Sequence, residues 1–139
     1  MSAFLWAMVT AGIWGIVPLM EKIGVRNASP PGAVMVRSLG VVIGFLLCSG
    51  VWSPWATLRT IGWRSALLLA GGGLIASFIG QMAFYRALQA GPISQVTPVA
   101  GAYPLVAALL GWWVLREPLT LPRVAGMMCV IVGVLLLRK

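Results

Sequence analysis

The chain has 139 residues, 60% of them hydrophobic and only 9% charged, with a net charge of +8. A soluble domain carries about 25% charged residues, so these proportions and a mean hydropathy of +1.00 exclude a chain folded around a water-facing surface. The ten basic residues are scattered between apolar runs and form no patch, which excludes a nucleic-acid surface.

Five apolar runs follow one another, each near the ~20 residues a tilted helix needs to cross a bilayer. They fall at about 4–20, 32–51, 63–85, 94–115 and 121–137. Breakers separate them: Ser29-Pro30-Pro31-Gly32, Ser53-Pro54, Gly91-Pro92 and the stretch 118–122. The expected fold is an all-α membrane protein with five transmembrane helices per chain, forming one transmembrane domain over residues 1–139. The first run has no basic segment before it and no small-x-small cleavage site ahead of Glu21-Lys22, so it reads as a span and not as a signal peptide.

In the first run Trp6, Thr10, Trp14 and Pro18 recur at steps of four and share one helix face. The third run repeats the pattern with Gly73, Ser77, Gln81 and Tyr85. Polar side chains within spans face the bundle or a cavity, because lipid offers them no partner. Interhelical hydrogen bonds, worth only about 0.6 kcal/mol on average, are the plainer account of these stripes. A substrate-lining role is the sharper one. Arg37 lies inside the second run, roughly 8 Å from its start. Its side chain either snorkels back to the headgroups or points inward, toward an anionic group or a freed carbonyl. The second run also holds Gly40 and Gly44, a GxxxG spacing that lets backbones approach closely.

The fourth run carries Pro98 and Pro104, six residues apart. Each lacks an N–H and leaves the carbonyl of Ser94 or Ala100 without its helical partner. An unpaired carbonyl costs several kcal/mol in lipid, so the stretch reads as a buried, broken helix facing protein or a wet cavity. Gln95, Thr97 and the Ser94 carbonyl freed by Pro98 add polar groups there, and Tyr103 could supply an aromatic wall. Beyond Arg123 at its start the fifth run has no strongly polar side chain; Gly126 and Gly133 make it the choice for a dimer contact.

The only acids are Glu21 and Glu117, and histidine and aspartate are absent. Glu117 is expected to pair with Arg116 or Arg123 at the interface. Glu21 is read as a solvated partner of Lys22 at a helix end, leaving no acid in mid-membrane. Cys48 and Cys129 read as small buried hydrophobes. No metal site, cofactor or covalent chemistry is expected, and the chain is not read as an enzyme.

Orientation is nearly undecided. One side would hold Arg59, Arg64, Arg116 and Arg123, and the other Lys22, Arg26, Arg86, Arg138 and Lys139, with Arg37 inside a span. Cytoplasmic loops normally show a clear excess of Lys and Arg. Either flank effects still select one orientation, or the chain inserts both ways and pairs head-to-tail with itself. Inverted repeats around a midplane site are a common transporter plan.

Several residues carry a family likeness: Tyr85-Arg86-Ala87-Leu88, Ser94-Gln95-Val96-Thr97-Pro98, Tyr103-Pro104, Leu115 to Thr120, Gly126 and Gly133-Val134, with Trp14-Gly15 and Arg37 before them. In these the sequence resembles an EamA domain of the drug/metabolite transporter superfamily, in a half-size five-span form. The resemblance implies a homodimer, antiparallel and of dual topology, forming an inverted-repeat ten-helix transporter. It implies a multi-pass protein of the inner (plasma) membrane that moves small metabolites or amphipathic compounds. Transport would proceed by alternating access around a midplane cavity between two subunits. The substrate-binding candidates are Thr10, Trp14, Arg37, Ser77, Gln81, Tyr85, Gln95, Thr97, Pro98 and Tyr103. A non-transport accessory subunit of a membrane complex and a lipid-linked-sugar flippase subunit are the alternatives. Small multidrug resistance proteins have a similar plan, but their mid-helix glutamate in the first span has no counterpart near Trp14.

Overall fold

The computed structural model describes residues 3–50 and 58–137, and every regular element among them is helical. The end of the second run at Val51, the Ser53-Pro54 connector and the charges of Arg138 and Lys139 lie outside the described residues.

Helix α1 (Ala3–Gly24) passes through Pro18 and continues into a single 3-10 turn, Val25–Asn27. The sequence reading stopped the first span near residue 20. Nothing there breaks a helix, since Glu and Lys are good helix formers, and Glu21 therefore lies inside the span. Helix α2 (Pro30–Cys48) starts at Ser29, whose Oγ accepts a hydrogen bond from the Gly32 N–H at 3.3 Å. Pro30 and Pro31 occupy the first turn, where a helix has spare N–H groups and loses nothing to proline.

The third span is one long helical run, Trp63–Ala90, of 28 residues. It consists of α3 (Trp63–Leu74), a π-helical segment (Ile75–Gly80) and α4 (Gln81–Ala90). It outlasts the expected 63–85 because the next breaker is Gly91-Pro92. The widened segment follows Gly71-Gly72-Gly73 and ends on Gly80, where the α-helix is locally weak. A Cβ on Gly80 would stand 3.4 Å from the carbonyl oxygen of Ile75, five residues back.

Helices α5 (Ile93–Ala100) and α6 (Tyr103–Leu115) together make the fourth span, broken at Gly101-Ala102. The break falls between the two prolines. The Gly101 N–H still reaches the Thr97 carbonyl at 2.7 Å, but the Ala102 N–H turns to Val99, only three residues back, at 3.2 Å. Pro104 thereby becomes a first-turn proline of α6. Both prolines are exposed on the chain and not buried as expected. Helix α6 ends on Arg116, in left-handed conformation with φ 55°, and the N–H groups of Arg116 and Glu117 converge on the Gly111 carbonyl. Helix α7 (Leu121–Leu136) has 16 residues.

Four helical stretches are long and apolar enough to cross a membrane: Leu5–Asn27, Pro30–Cys48, Trp63–Ala90 and Ile93–Leu115. Helix α7 is apolar but spans only about 24 Å, short of a ~30 Å hydrocarbon core.

The chain divides into two compact units, Met1–Gln89 and Ala90–Lys139. The buried apolar side chains Val25, Val34, Tyr85 and Leu88 all belong to the first. They pack where the α1–α2 turn meets α4. Polar bonds close the same region: Lys22 Nζ donates to the Leu88 carbonyl, and Gln89 Nε2 donates to the carbonyls of Val25 and Ala28, both at 2.8 Å. The bonds to Leu88 and Ala28 satisfy carbonyls that a helix end or turn would leave without a donor, while the Val25 carbonyl also accepts from the Ala28 N–H at 3.3 Å.

In the second unit Arg123 Nη1 donates to the Pro118 carbonyl at 2.9 Å. Glu117 makes no ion pair among the described residues, against the expected pairing with Arg116 or Arg123. Its backbone is already committed to the Gly111 carbonyl, and its carboxylate lies along that residue. Cys48 and Cys129 are exposed and not buried, because so few elements cover these apolar helices. A Cβ added at Gly40, Gly44, Gly126 or Gly133 would meet nothing within 4 Å.

Candidate functional site

The extension of α1 places Glu21 six residues before the end of its span at Asn27, roughly 9 Å deep at 1.5 Å per residue. Arg37 lies seven residues into α2, at a similar depth from the other arm of the hairpin. The third helix brings Gln81 and Tyr85 to the same level from its far end. One carboxylate oxygen collects all three partners. Glu21 Oε1 accepts from Gln81 Nε2 at 2.8 Å and Tyr85 Oη at 3.0 Å, and lies 3.4 Å from Arg37 Nε. Glu21 is thus no solvated partner of Lys22; its side chain is 12% exposed, and Arg37's is 35%.

The energetics show why such a pair is unusual. At an effective dielectric near 20, opposite charges at this distance attract by about 5 kcal/mol. Removing two ions from water costs several kcal/mol each. The pair therefore adds little to stability, and ionisable groups within spans mark functional positions by default. Beside it lies a cavity of about 720 Å³, lined by Val17, Met20, Val25, Ala33 and Val36 together with Glu21, Arg37 and Tyr85. It runs from the level of Val17 to Ser29 at the hairpin turn. A volume in this range, mostly apolar with a few convergent polar groups, suits a small ligand.

Of the residues singled out in the sequence, Arg37, Gln81 and Tyr85 meet at this cluster. The others are placed elsewhere. Thr10 Oγ1 bonds its own helix at the Trp6 carbonyl, at 2.9 Å, and Trp14 is exposed. Ser77 is exposed within the π segment, whose longer turn interrupts the four-residue stripe toward Gln81. Gln95, Thr97, Pro98 and Tyr103 belong to the second unit. There Gln95 and Thr97 are half-buried, and the buried Thr97 Oγ1 has no hydrogen-bond partner among the described residues. Pro98 and Tyr103 are exposed. The second unit has its own cavity of about 510 Å³ beside Pro104, Leu105, Glu117 and Arg123.

Glu21 is the functional candidate the sequence reading missed. Two signals pointed to it. It continues the Thr10–Trp14–Pro18 face by a step of three, and an arginine inside a span needs a carboxylate that only two residues of the chain can supply.

The EamA-like transporter family matches residues 1–139. The chain belongs to that family. Among this EamA protein's relatives is one described as an uncharacterized transporter in the cobO 3′ region of a Sinorhizobium species. It is 26% identical over 132 residues, covering 95% of this chain and 93% of the relative. An uncharacterized protein of Methanocaldococcus jannaschii is 29% identical over 136 residues, covering 98% and 96% of the two chains. No solved structure matches the EamA chain significantly. Family and helices together make it a multi-pass membrane transporter.

Proposed function

We propose that the chain transports small metabolites or amphipathic compounds by alternating access, as a homodimer in the plasma (inner) membrane. The supporting observation is the cavity of about 720 Å³ with an ion pair and Tyr85 set into an apolar wall, and Gln81 donating to the carboxylate of that pair. In this reading α7 crosses as a fifth span, and residues 1–139 act as one transmembrane domain. Two copies in opposite orientation form an inverted-repeat ten-helix assembly, with the substrate path between them. The glycines of α2 and α7 support a second copy, because a Cβ at Gly40, Gly44, Gly126 or Gly133 would meet nothing within 4 Å among the described residues. Thr10, Trp14, Arg37, Ser77, Gln81, Tyr85, Gln95, Thr97, Pro98 and Tyr103 remain the proposed substrate contacts, with Glu21 added to them.

The test begins with ligand-dependent thermal shifts of the purified protein across a metabolite panel. Each compound that stabilises the protein is then followed as radiolabelled uptake into vesicles carrying it. Saturable uptake above empty vesicles is expected for at least one. Ligands that bind yet never cross would overturn transport.

A further inference from the structure

The ion pair restricts the charge of whatever the cavity holds, and this deepens the transport reading on which it rests. Glu21 and Arg37 are the charged side chains lining the cavity, and together they are neutral. They are not equally presented. The carboxylate is the less exposed of the two, with three partners on Oε1. The guanidinium meets Glu21 through Nε, and its side chain is 35% exposed against 12% for the carboxylate. An incoming molecule therefore meets a fork of N–H donors, which matches a pair of anionic oxygens. Met20, Val25 and Val36 offer apolar contact to the remainder of the ligand.

Neutrality then decides between ligands. A net charge left within a membrane span is costly. A monoanion on Arg37 leaves one negative charge, which Glu21 removes by taking a proton from solution. A monocation on Glu21 leaves one positive charge; Arg37 cannot shed a proton to remove it, since a guanidinium does not deprotonate in proteins, and the Tyr85 hydroxyl is committed as a donor to Glu21. The groups facing Glu21 permit the exchange: Arg37 from α2, Gln81 and Tyr85 from α4, and on its own helix Lys22, which donates to the Leu88 carbonyl. We propose that the cavity binds an amphipathic organic monoanion on Arg37 together with one proton on Glu21. No covalent bond of the anion changes.

The probes are hexanesulfonate, which stays anionic at every working pH, hexyltrimethylammonium, and the zwitterion 6-aminohexanesulfonate. Titration calorimetry of the full chain in detergent, in two buffers of different ionisation enthalpy, counts the protons taken up. Hexanesulfonate should bind with uptake of one proton, its affinity rising about tenfold per unit fall in pH over the range in which that proton is taken up. Glu21→Gln should still bind it, with neither proton uptake nor pH dependence. Glu21→Gln/Arg37→Gln leaves no unpaired charge and should melt as a folded protein but bind none, which also corrects for partition into detergent. Equal binding of hexyltrimethylammonium would overturn the proposal. So would sulfonate binding without a proton, tighter binding of the zwitterion, or no binding of any alkanesulfonate from butane to decane. Vesicles that bind hexanesulfonate but do not move it would sink the transport reading alone. Vesicles that move another compound while the protein binds no sulfonate would sink this inference alone.

Discussion

Tyr85 gives the cleanest probe of the polar cluster, because its ring is only 3% exposed while its hydroxyl serves Glu21. Tyr85→Phe keeps the packing and removes one donor from a carboxylate, which should cost about 2 kcal/mol of stability. A thermal melt of reconstituted protein reads it, and an unchanged midpoint would mean the bond is not formed in lipid. Gln81→Leu should abolish transport while leaving folded protein at its normal level, since the amide lies on the charged pair and the ring of Tyr85 still holds the helix. Equal loss of folded protein and of uptake would assign Gln81 to packing alone. At this scale the sequence showed three of the cluster's four residues. Arg37, Gln81 and Tyr85 stand out as polar side chains in apolar runs, and one stripe pairs Gln81 with Tyr85, but nothing in the sequence brought Arg37 to them. Glu21 was hidden because a charged dipeptide was taken as the end of a span, although helix propensity gave it no reason to end there.

Among the elements, the fourth span is where sequence and structure agree on cause. Pro98 and Pro104 interrupt the helix at Gly101-Ala102, and Pro104 sits where the new helix has no use for its N–H. Replacing both by alanine lets the Ser94 and Ala100 carbonyls regain partners. An interior proline costs ~3 kcal/mol in an ordinary helix, so the double variant should be folded and at least as heat-resistant, yet inactive in vesicle uptake. Uptake at the normal rate would make the break incidental. The starts and ends of helices were legible wherever proline or a cap set them, as at Ser29 and Gly91-Pro92. They were misjudged where only a charge stood, as after Met20 and Tyr85. The π segment had no legible signal beyond its flanking glycines, because hydrogen-bond pattern depends on strain that composition does not state.

For the molecule as a whole, the proposed five-span arrangement would divide the basic residues outside the spans five to four between the two sides. Paired reporters fused after Lys139, one active only in the cytoplasm and one only outside, should both give signal. Two added lysines at that end should draw it inside, because the excess of Lys and Arg sets the cytoplasmic side. A signal from one reporter alone in the unmodified chain would remove the dual orientation, and with it the antiparallel pair. Helical class and membrane setting were legible from hydropathy alone. Burial was not, since apolar residues such as Cys48 and Cys129 face outward when the surroundings are lipid or another subunit.

The π segment at Ile75–Gly80 has a consequence for descent. One residue added to an α-helix would turn everything beyond it by about 100° and carry Gln81 and Tyr85 away from Glu21. A turn closed by i→i+5 bonds takes up the surplus locally, so both ends of the helix keep their faces. The segment thus has the form of a single-codon insertion tolerated in an ancestor. Relatives that lack it should align with a one-residue gap inside 75–80 and remain in register at Trp63 and at Tyr85. Deleting Ala76 should return the helix to regular winding with the Gln81–Glu21 bond intact and the face that carries Trp63 unchanged; a rotated outer half would show that the segment is no absorbed insertion.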